Sequence, residues 1–214
     1  MNKRLLALLL MAVLVMSLAL SACGNKEEAP AEEPQEEEEE VTEDEPGFPG
    51  AAYGYAGDDP IELAVYKYCA EELSKGYAEA EIHIPTVNII NEDMTNEEDI
   101  LVYGDFWIDN YNVEGDTLKT VSGGNHPGLM HLKKDGEEYT VVSMDQTEDG
   151  AGFDESAKKI FGDHYEELIN VMGDDKAREE LRKVTVSDYV NMNGLDEVKY
   201  YQDEGWDPVE LIKQ

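Results

Sequence analysis

The positions of apolar and polar residues divide this chain of 214 residues into three stretches. Residues 5–20 are almost entirely apolar, and residues 24–50 contain almost no large apolar side chain before Phe48. From residue 58 onward, apolar residues recur at spacings typical of helices and strands, over a length sufficient for one buried core. The pattern therefore predicts a leader at 1–22, a polar linker at 23–57 and a single folded domain at 58–214.

The folded domain opens with a predicted helix. Asp59 is a typical N-cap residue, and Pro60 is favoured in the first helical turn. Gly76 provides a signal for the end of the helix. Between these signals the apolar residues at helical spacing are Ile61, Val65 and Tyr68.

A series of extended segments follows the helix. The dipeptide Asp135-Gly136 is a strong signal for a tight hairpin turn, Pro85 interrupts the first extended stretch, and residues 123–128 are predicted to be a loop between two strands. The connections are too short for crossovers, so the strands should pair as an antiparallel meander. The predicted extended segments are 81–84, 86–90, 100–110, 117–122, 129–133 and 139–144.

Helical periodicity returns near the end of the chain. It predicts one helix at about 154–172, with Gly162 as a weak point, and a second at 174–193. Residues 200–208 are expected to be irregular, with their aromatic side chains pinning the end of the chain to the core. The alternative is that Tyr200, Tyr201 and Trp206 form an exposed aromatic tail for docking. The predicted fold class is therefore α+β.

This order of elements resembles the cystatin-like and nuclear-transport-factor-2-like group, in which a curved antiparallel sheet of four or five strands wraps one or more helices. The resemblance covers residues 58–150, and the two C-terminal helices depart from the simplest cystatin pattern. The runs Lys159-Ile160-Phe161-Gly162 and 201–208 are also similar to uncharacterised lipoproteins of clostridial-type bacteria.

The N-terminal leader has the features of a signal for export. Lys3 and Arg4 precede the apolar run, which is shorter than the ~20 residues of a membrane span. The following residues, Leu20-Ser21-Ala22-Cys23, resemble a bacterial lipobox. The resemblance implies cleavage before Cys23, lipid attachment to its sulfur and an extracytoplasmic location at the cell membrane. The alternative is an ordinary secretory signal in which Cys23 has no special role.

Only one other cysteine is present, Cys69. Once Cys23 carries lipid, Cys69 has no partner within the chain, so no disulfide framework is expected. We expect Cys69 to be a small buried residue of the first helix.

The charge of the chain restricts its partners. Sixteen basic and 50 acidic side chains give a net charge of −34, to which residues 1–23 contribute +2, residues 24–50 −11 and residues 51–214 −25. This charge excludes general nucleic-acid binding, which requires Lys and Arg facing phosphates. It makes 23–57 a self-repelling linker without regular structure, and it favours a cationic envelope protein or small ligand as partner.

The candidate catalytic residues lie on two predicted strands. Asp105, Trp107 and Asp109 alternate along one strand and therefore point to the same face, and His131 lies on a neighbouring strand. Enzymes of the nuclear-transport-factor-2-like group place Asp and His inside the curve of the sheet, which suggests a general base here. The alternative is that this face meets water.

The other candidates for binding are a metal site and a recognition loop. Asp145, Thr147 and Asp149 have the spacing of the first ligands of a calcium loop, but Ser156 stands where such a loop needs Glu. A chance acidic turn explains the same residues, so no cofactor is predicted and Ca²⁺ is the alternative. His126 in the predicted loop 123–128, and Trp107, are candidate ligand contacts.

The sequence contains no motif of an activated nucleophile or a bound cofactor. We therefore expect a membrane-anchored extracytoplasmic lipoprotein that binds a protein or small ligand without catalysis. The alternative is a nuclear-transport-factor-2-like enzyme with Asp105, Asp109 and His131 in a pocket of the sheet.

Overall fold

A computed structural model describes residues 55–213 of the protein. The predicted signal peptide, Cys23 and all but the last three residues of the predicted linker lie outside the described residues. The described part is an α+β structure with an open, mixed six-stranded sheet, which confirms the predicted fold class.

The described part contains four α-helices and six strands. The helices are α1 (Pro60–Glu71), α2 (Phe153–Phe161), α3 (Tyr165–Met172) and α4 (Asp175–Met192). The strands are β1 (Ile82–Asp93), β2 (Ile100–Glu114), β3 (Thr117–Asp135), β4 (Glu138–Gln146), β5 (Tyr200–Gln202) and β6 (Val209–Glu210). No helix among the described residues is long and apolar enough to cross a membrane.

Strands β1 to β4 form the predicted antiparallel meander, in which each strand pairs with the next along the chain. Gly115 and Gly136, both with positive φ, make the turns on either side of β3. The sheet is mixed because β5 pairs in parallel with Thr117 to Lys119 at the start of β3, and β6 continues it by pairing with β5.

The predicted loop at 123–128 is wrong, since these residues lie inside the continuous strand β3 and pair with β2 along their whole length. A Cβ at Gly123 would lie 2.5 Å from the carbonyl oxygen of Ile108, and one at Gly124 would overlap the Tyr77 hydroxyl. The two glycines therefore permit close approach within a strand and do not mark a turn. Pro85 likewise lies within the unbroken strand β1.

Helix α1 begins as predicted, because the Asp59 side chain accepts hydrogen bonds from the backbone N–H groups of Ile61 and Glu62. It packs on β1, β2 and β4. Cys69 is free and fully buried, as expected for a small core residue. The core under α1 is formed by Ile61, Val65, Cys69, Val102, Phe106, Met130 and Leu132.

The other three helices lie on the opposite face of the sheet, since even-numbered residues of β2 pack with α1 and odd-numbered ones with α2 to α4. Helix α4 packs on one end of this face and α2 with α3 on the other. The core under α4 contains Ile82, Ile84, Tyr111, Leu118, Val186, Tyr189, Val190 and Tyr201.

Two expectations for the C-terminal part are corrected. The helix predicted at 154–172 is two helices, because Gly162 adopts φ 53° and ψ −117° and ends α2. The tail predicted to be irregular at 200–208 contains β5, and β6 follows directly after it. Tyr201 is 2% exposed and holds this tail to the core as expected, whereas Trp206 is 75% exposed.

Candidate functional site

An open cleft of about 390 Å³ lies on the face of the sheet that α4 partly covers. Strands β1, β2 and β3 form its floor, and α4 together with the residues after β5 forms its walls. We call this space the cleft. The lining residues that matter below are Thr86, Trp107, Asp109, Gly123, Arg178 and Asp203.

Asp109 is the most perturbed acid of the cleft. It is only 8% exposed, and burial raises the pKa of its carboxyl to about 6, although the charge of Arg182 opposes this rise. Oδ2 of Asp109 lies 3.1 Å from Nε of Arg182. Oδ1 lies 3.0 Å from the point where a Cβ on Gly123 would be, so glycine at this position leaves no side chain of β3 against this oxygen.

Arg182 joins α4 to the sheet and to the C-terminal tail. Its two terminal nitrogens bind Oδ1 and Oδ2 of Asp203 at 2.8 Å each, a bidentate pair. Nε also donates to the Tyr111 hydroxyl at 3.1 Å, and Thr120 accepts from a terminal nitrogen. Burial alone would lower the pKa of Arg182, but the hydrogen bonds that it donates to Asp203 and the neighbouring negative charges raise it, so this guanidinium stays charged.

Asp105 lies deeper, next to Trp107. It is 3% exposed and accepts hydrogen bonds from Nε1 of Trp107 at 2.9 Å and from the Asn125 amide at 3.4 Å. Burial raises the pKa of Asp105, and these hydrogen bonds oppose the rise. The Arg178 guanidinium lies 4.7 Å from the centre of the Trp107 ring, which places it in cation–π contact.

Thr86 of β1 supplies an unpaired polar group at the floor of the cleft. The residue is 2% exposed, and its Oγ1 is buried without a hydrogen-bond partner among the described residues. A buried hydroxyl without a partner is unfavourable by about 1–3 kcal/mol. A ligand or water bound in the cleft can remove this cost by supplying the missing hydrogen bond.

The structure separates His131 from the two predicted aspartates. His131 pairs with Leu101 in the register of β2 and β3, whereas Asp105 pairs with Pro127, about 13 Å away along the strand. Nδ1 of His131 lies 2.8 Å from Asp99, and its Nε2 lies 3.7 Å from Asp145. The predicted group of Asp105, Asp109 and His131 is therefore not brought together.

The face of Asp105 and Asp109 meets water only at the open cleft, where Trp107 is half-buried, because α4 covers part of it and leaves both aspartates buried. The two predicted ligand contacts also separate. Trp107 points into the cleft, while His126 lies on the opposite face and is hydrogen-bonded through Nε2 to the Tyr77 hydroxyl at 2.8 Å.

The predicted calcium ligands do not share one loop. Asp145 lies in β4, opposite Leu129. Thr147 follows the strand and donates its backbone N–H to the Pro127 carbonyl. Asp149 lies at the start of a 3-10 helix. Within residues 55–213 no group of three or more His, Cys, Asp or Glu side chains is placed to hold a metal ion.

Sequence reasoning missed Arg182 and Asp203, which hold the cleft together, and Thr86 and Arg178, which line it. A signal for Arg182 existed. It stands four, seven and eight residues before Val186, Tyr189 and Val190, and so on their buried face of α4.

The comparisons with known proteins do not assign this chain to a family. Neither the family models, nor the curated proteins, nor the solved structures gave a match to this chain.

Proposed function

We propose that this protein is a lipid-anchored, extracytoplasmic binding module that recognises a positively charged group in the cleft. The observation that carries the binding role is that a nearly buried carboxylate and a hydroxyl without a hydrogen-bond partner, those of Asp109 and Thr86, line the same cleft. Both lie on one face of the sheet, where a single ligand can contact them.

The charge of the cleft supports a cationic ligand. Its lining contains four acidic side chains and two arginines, and both arginines are already engaged within the protein. The surrounding chain adds to the negative potential, since residues 51–214 carry a net charge of −25. Such a field concentrates cations near the opening and repels anions.

The anchoring part of the proposal rests on the sequence. The lipobox-like run ending at Cys23 and the acidic linker behind it fit a domain displayed at a distance from the outer face of the membrane. Lipid chains of this kind give a stable anchor at ~0.8 kcal/mol per buried methylene.

We further propose that the domain is a distant variant of the cystatin-like or nuclear-transport-factor-2-like arrangement. The support is the contact of α1 with both β1 and β4, the two ends of the meander, as expected for a sheet that curves around a helix. The three helices on the opposite face and the parallel strand β5 are additions to that arrangement.

The test is a titration of the full chain in detergent with butylguanidine and with butylurea, which has a similar shape but no charge. The chain has two tryptophans, so Trp206→Phe leaves Trp107 as the only indole reporter. We expect butylguanidine to change the Trp107 fluorescence in a saturable way and butylurea to bind at least about tenfold more weakly.

The matched variants are Asp109→Asn in the cleft and Asp207→Asn at an exposed carboxylate. Only Asp109→Asn should weaken the binding of butylguanidine. Equal binding of the charged and neutral compounds, or an equal effect of the two variants, would overturn recognition of charge in the cleft.

A second candidate function is an enzyme with Asp109 as general base. It is favoured by one observation, the pKa of about 6 in a cleft open to solvent, because a base that titrates near neutral pH is effective there. It would have to act without histidine, since none lines the cleft in the part of the chain described. Turnover abolished by Asp109→Asn but retained in Asp207→Asn would establish it.

A further inference from the structure

The outer edge of β3 is paired at its two ends and open in the middle. Residues 128–135 pair with β4, and Thr117 to Lys119 pair with β5 on the same side of the strand. Residues 120–126 between them have no strand partner on that side: they pair only with β2, apart from Val121, which bulges out of the register. We call these seven residues the edge gap, and at ~3.3 Å per residue the gap is about 23 Å long.

Burial along β3 follows the same division. Thr117 and Leu118 before the edge gap, and Pro127 and Gly128 after it, are buried. No residue between 120 and 126 is buried, and Val121 is 41% exposed. The edge gap therefore presents backbone N–H and C=O groups to solvent inside a sheet that continues on either side of it.

The edge gap forms part of the floor of the cleft, because Thr120, Val121 and Gly123 line that space. An open strand edge is a template for pairing with another extended chain. Neighbouring strands lie about 4.8 Å apart, so a strand added here would lie one strand spacing from Gly123 and two from Asp109.

Gly123 leaves room for a side chain to extend from an added strand to Asp109. Any side chain at position 123 would approach Oδ1 of Asp109 to 3.0 Å at its Cβ alone. With glycine there, a long side chain from the added strand can cross β3 and reach this oxygen. A Lys or Arg side chain has the length and the charge to do so.

We propose that the edge gap binds an extended peptide segment of a partner protein as an additional strand, with one Lys or Arg side chain crossing Gly123 to Asp109. This inference rests on the proposed binding function and specifies its partner. Backbone pairing supplies the position, and the basic side chain supplies the selectivity. The partner is a foreign segment and not a second copy, because two domains each carrying −25 repel each other.

The experiment uses the full chain in detergent and the blocked peptide acetyl-Thr-Val-Lys-Val-Thr-amide as probe. Binding is measured by Trp107 fluorescence in the Trp206→Phe background. Hydrogen exchange of the backbone amides locates the contact. We expect the probe to slow exchange within 120–126 at least about tenfold, and replacement of its Lys by Glu to weaken binding at least about tenfold.

Two further probes test strand pairing itself. The first probe is N-methylated at every second residue of the peptide. The second probe is N-methylated at the residues that the first leaves unmodified. The N–H groups of a strand point alternately to its two sides, so only one of the two sets faces β3. One methylated peptide should therefore lose binding and the other retain it.

The outcomes separate this inference from the proposed function. If butylguanidine binds but the Lys peptide gives no protection at 120–126, or both methylated peptides behave alike, strand addition is wrong and the binding of a cation in the cleft stands. Protection of 120–126 that grows with protein concentration in the absence of peptide would show a second copy in the gap, which also overturns the inference. Binding of neither butylguanidine nor the peptide would remove both proposals.

Discussion

Asp109 allows the electrostatics of the cleft to be measured without a ligand. We consider the substitution Asp109→Asn, which keeps the size of the side chain and removes its charge. Arg182 retains its bidentate pair with Asp203 in this variant, so its guanidinium is not left without a carboxylate.

The size of the effect follows from the pKa. Burial raises the pKa of Asp109 from its ordinary value of 3.8 to about 6. Each pKa unit corresponds to about 1.36 kcal/mol, so ionisation of Asp109 disfavours the folded state by about 3 kcal/mol in full. The pKa of Asp109 is higher in the folded chain than in the unfolded chain, so the protonated carboxyl stabilises the folded state. This stabilisation is fully present below pH 3.8 and is lost as the pH rises through about 6.

The assay is urea unfolding of the full chain and of Asp109→Asn between pH 5 and 8, followed by far-ultraviolet circular dichroism. This range avoids the region near the pI of about 4.1, where the chain is least soluble. About half of the full effect of Asp109 ionisation on the unfolding free energy falls between pH 5 and 8. The unfolding free energy of the natural chain should therefore decrease by about 1.4 kcal/mol relative to the variant as the pH rises.

The control is Asp207→Asn at an exposed carboxylate. Its stability difference from the natural chain should not change by a comparable amount over the same range. If the difference for Asp109→Asn is flat between pH 5 and 8, or grows in the opposite direction, burial does not dominate the ionisation of Asp109, and the electrostatic argument for the cleft is refuted.

Three other predictions concern packing, the charge network and the anchor. Gly123→Ala should lower the unfolding free energy by about 1–3 kcal/mol, because its Cβ would lie 2.5 Å from the Ile108 carbonyl oxygen. Gly76→Ala, which has open space around the Cβ, should not lower it. Equal urea midpoints for the two variants would contradict this prediction. Arg182→Met should lower the unfolding free energy by about 3–5 kcal/mol, since it leaves the buried carboxylate of Asp109 and the half-exposed one of Asp203 without their cation. A melting temperature equal to that of the natural chain would refute the role of this arginine. Cys23→Ala should move the chain from the alkali-washed membrane fraction to the soluble fraction, and undiminished membrane retention would contradict lipid anchoring.

Much of the secondary structure was predictable because its signals are local. Asp59 and Pro60 specify the start of α1 through capping, and Asp135-Gly136 specifies the hairpin between β3 and β4. Gly162 was identified as a weak point of a helix, but its positive φ, which makes it the actual end, depends on how α2 and α3 pack on the sheet.

The predicted loop at 123–128 failed for a physical reason. A pair of glycines is compatible both with a turn and with a strand that another group approaches closely, and the sequence does not show which group is near. The Ile108 carbonyl and the Tyr77 hydroxyl, which exclude side chains at 123 and 124, come from distant parts of the chain.

The sequence by itself determined that Asp105, Trp107 and Asp109 share one face, because side chains alternate along a strand and need no further information. It also determined the acidic charge and predicted the class of the fold, and its run ending at Cys23 resembles a lipobox. Only the tertiary structure decided that α4 covers this face, that Arg182 neutralises part of it and that β3 has an open edge between β4 and β5. These features depend on contacts between residues far apart in the chain, and such contacts cannot be predicted from local periodicity.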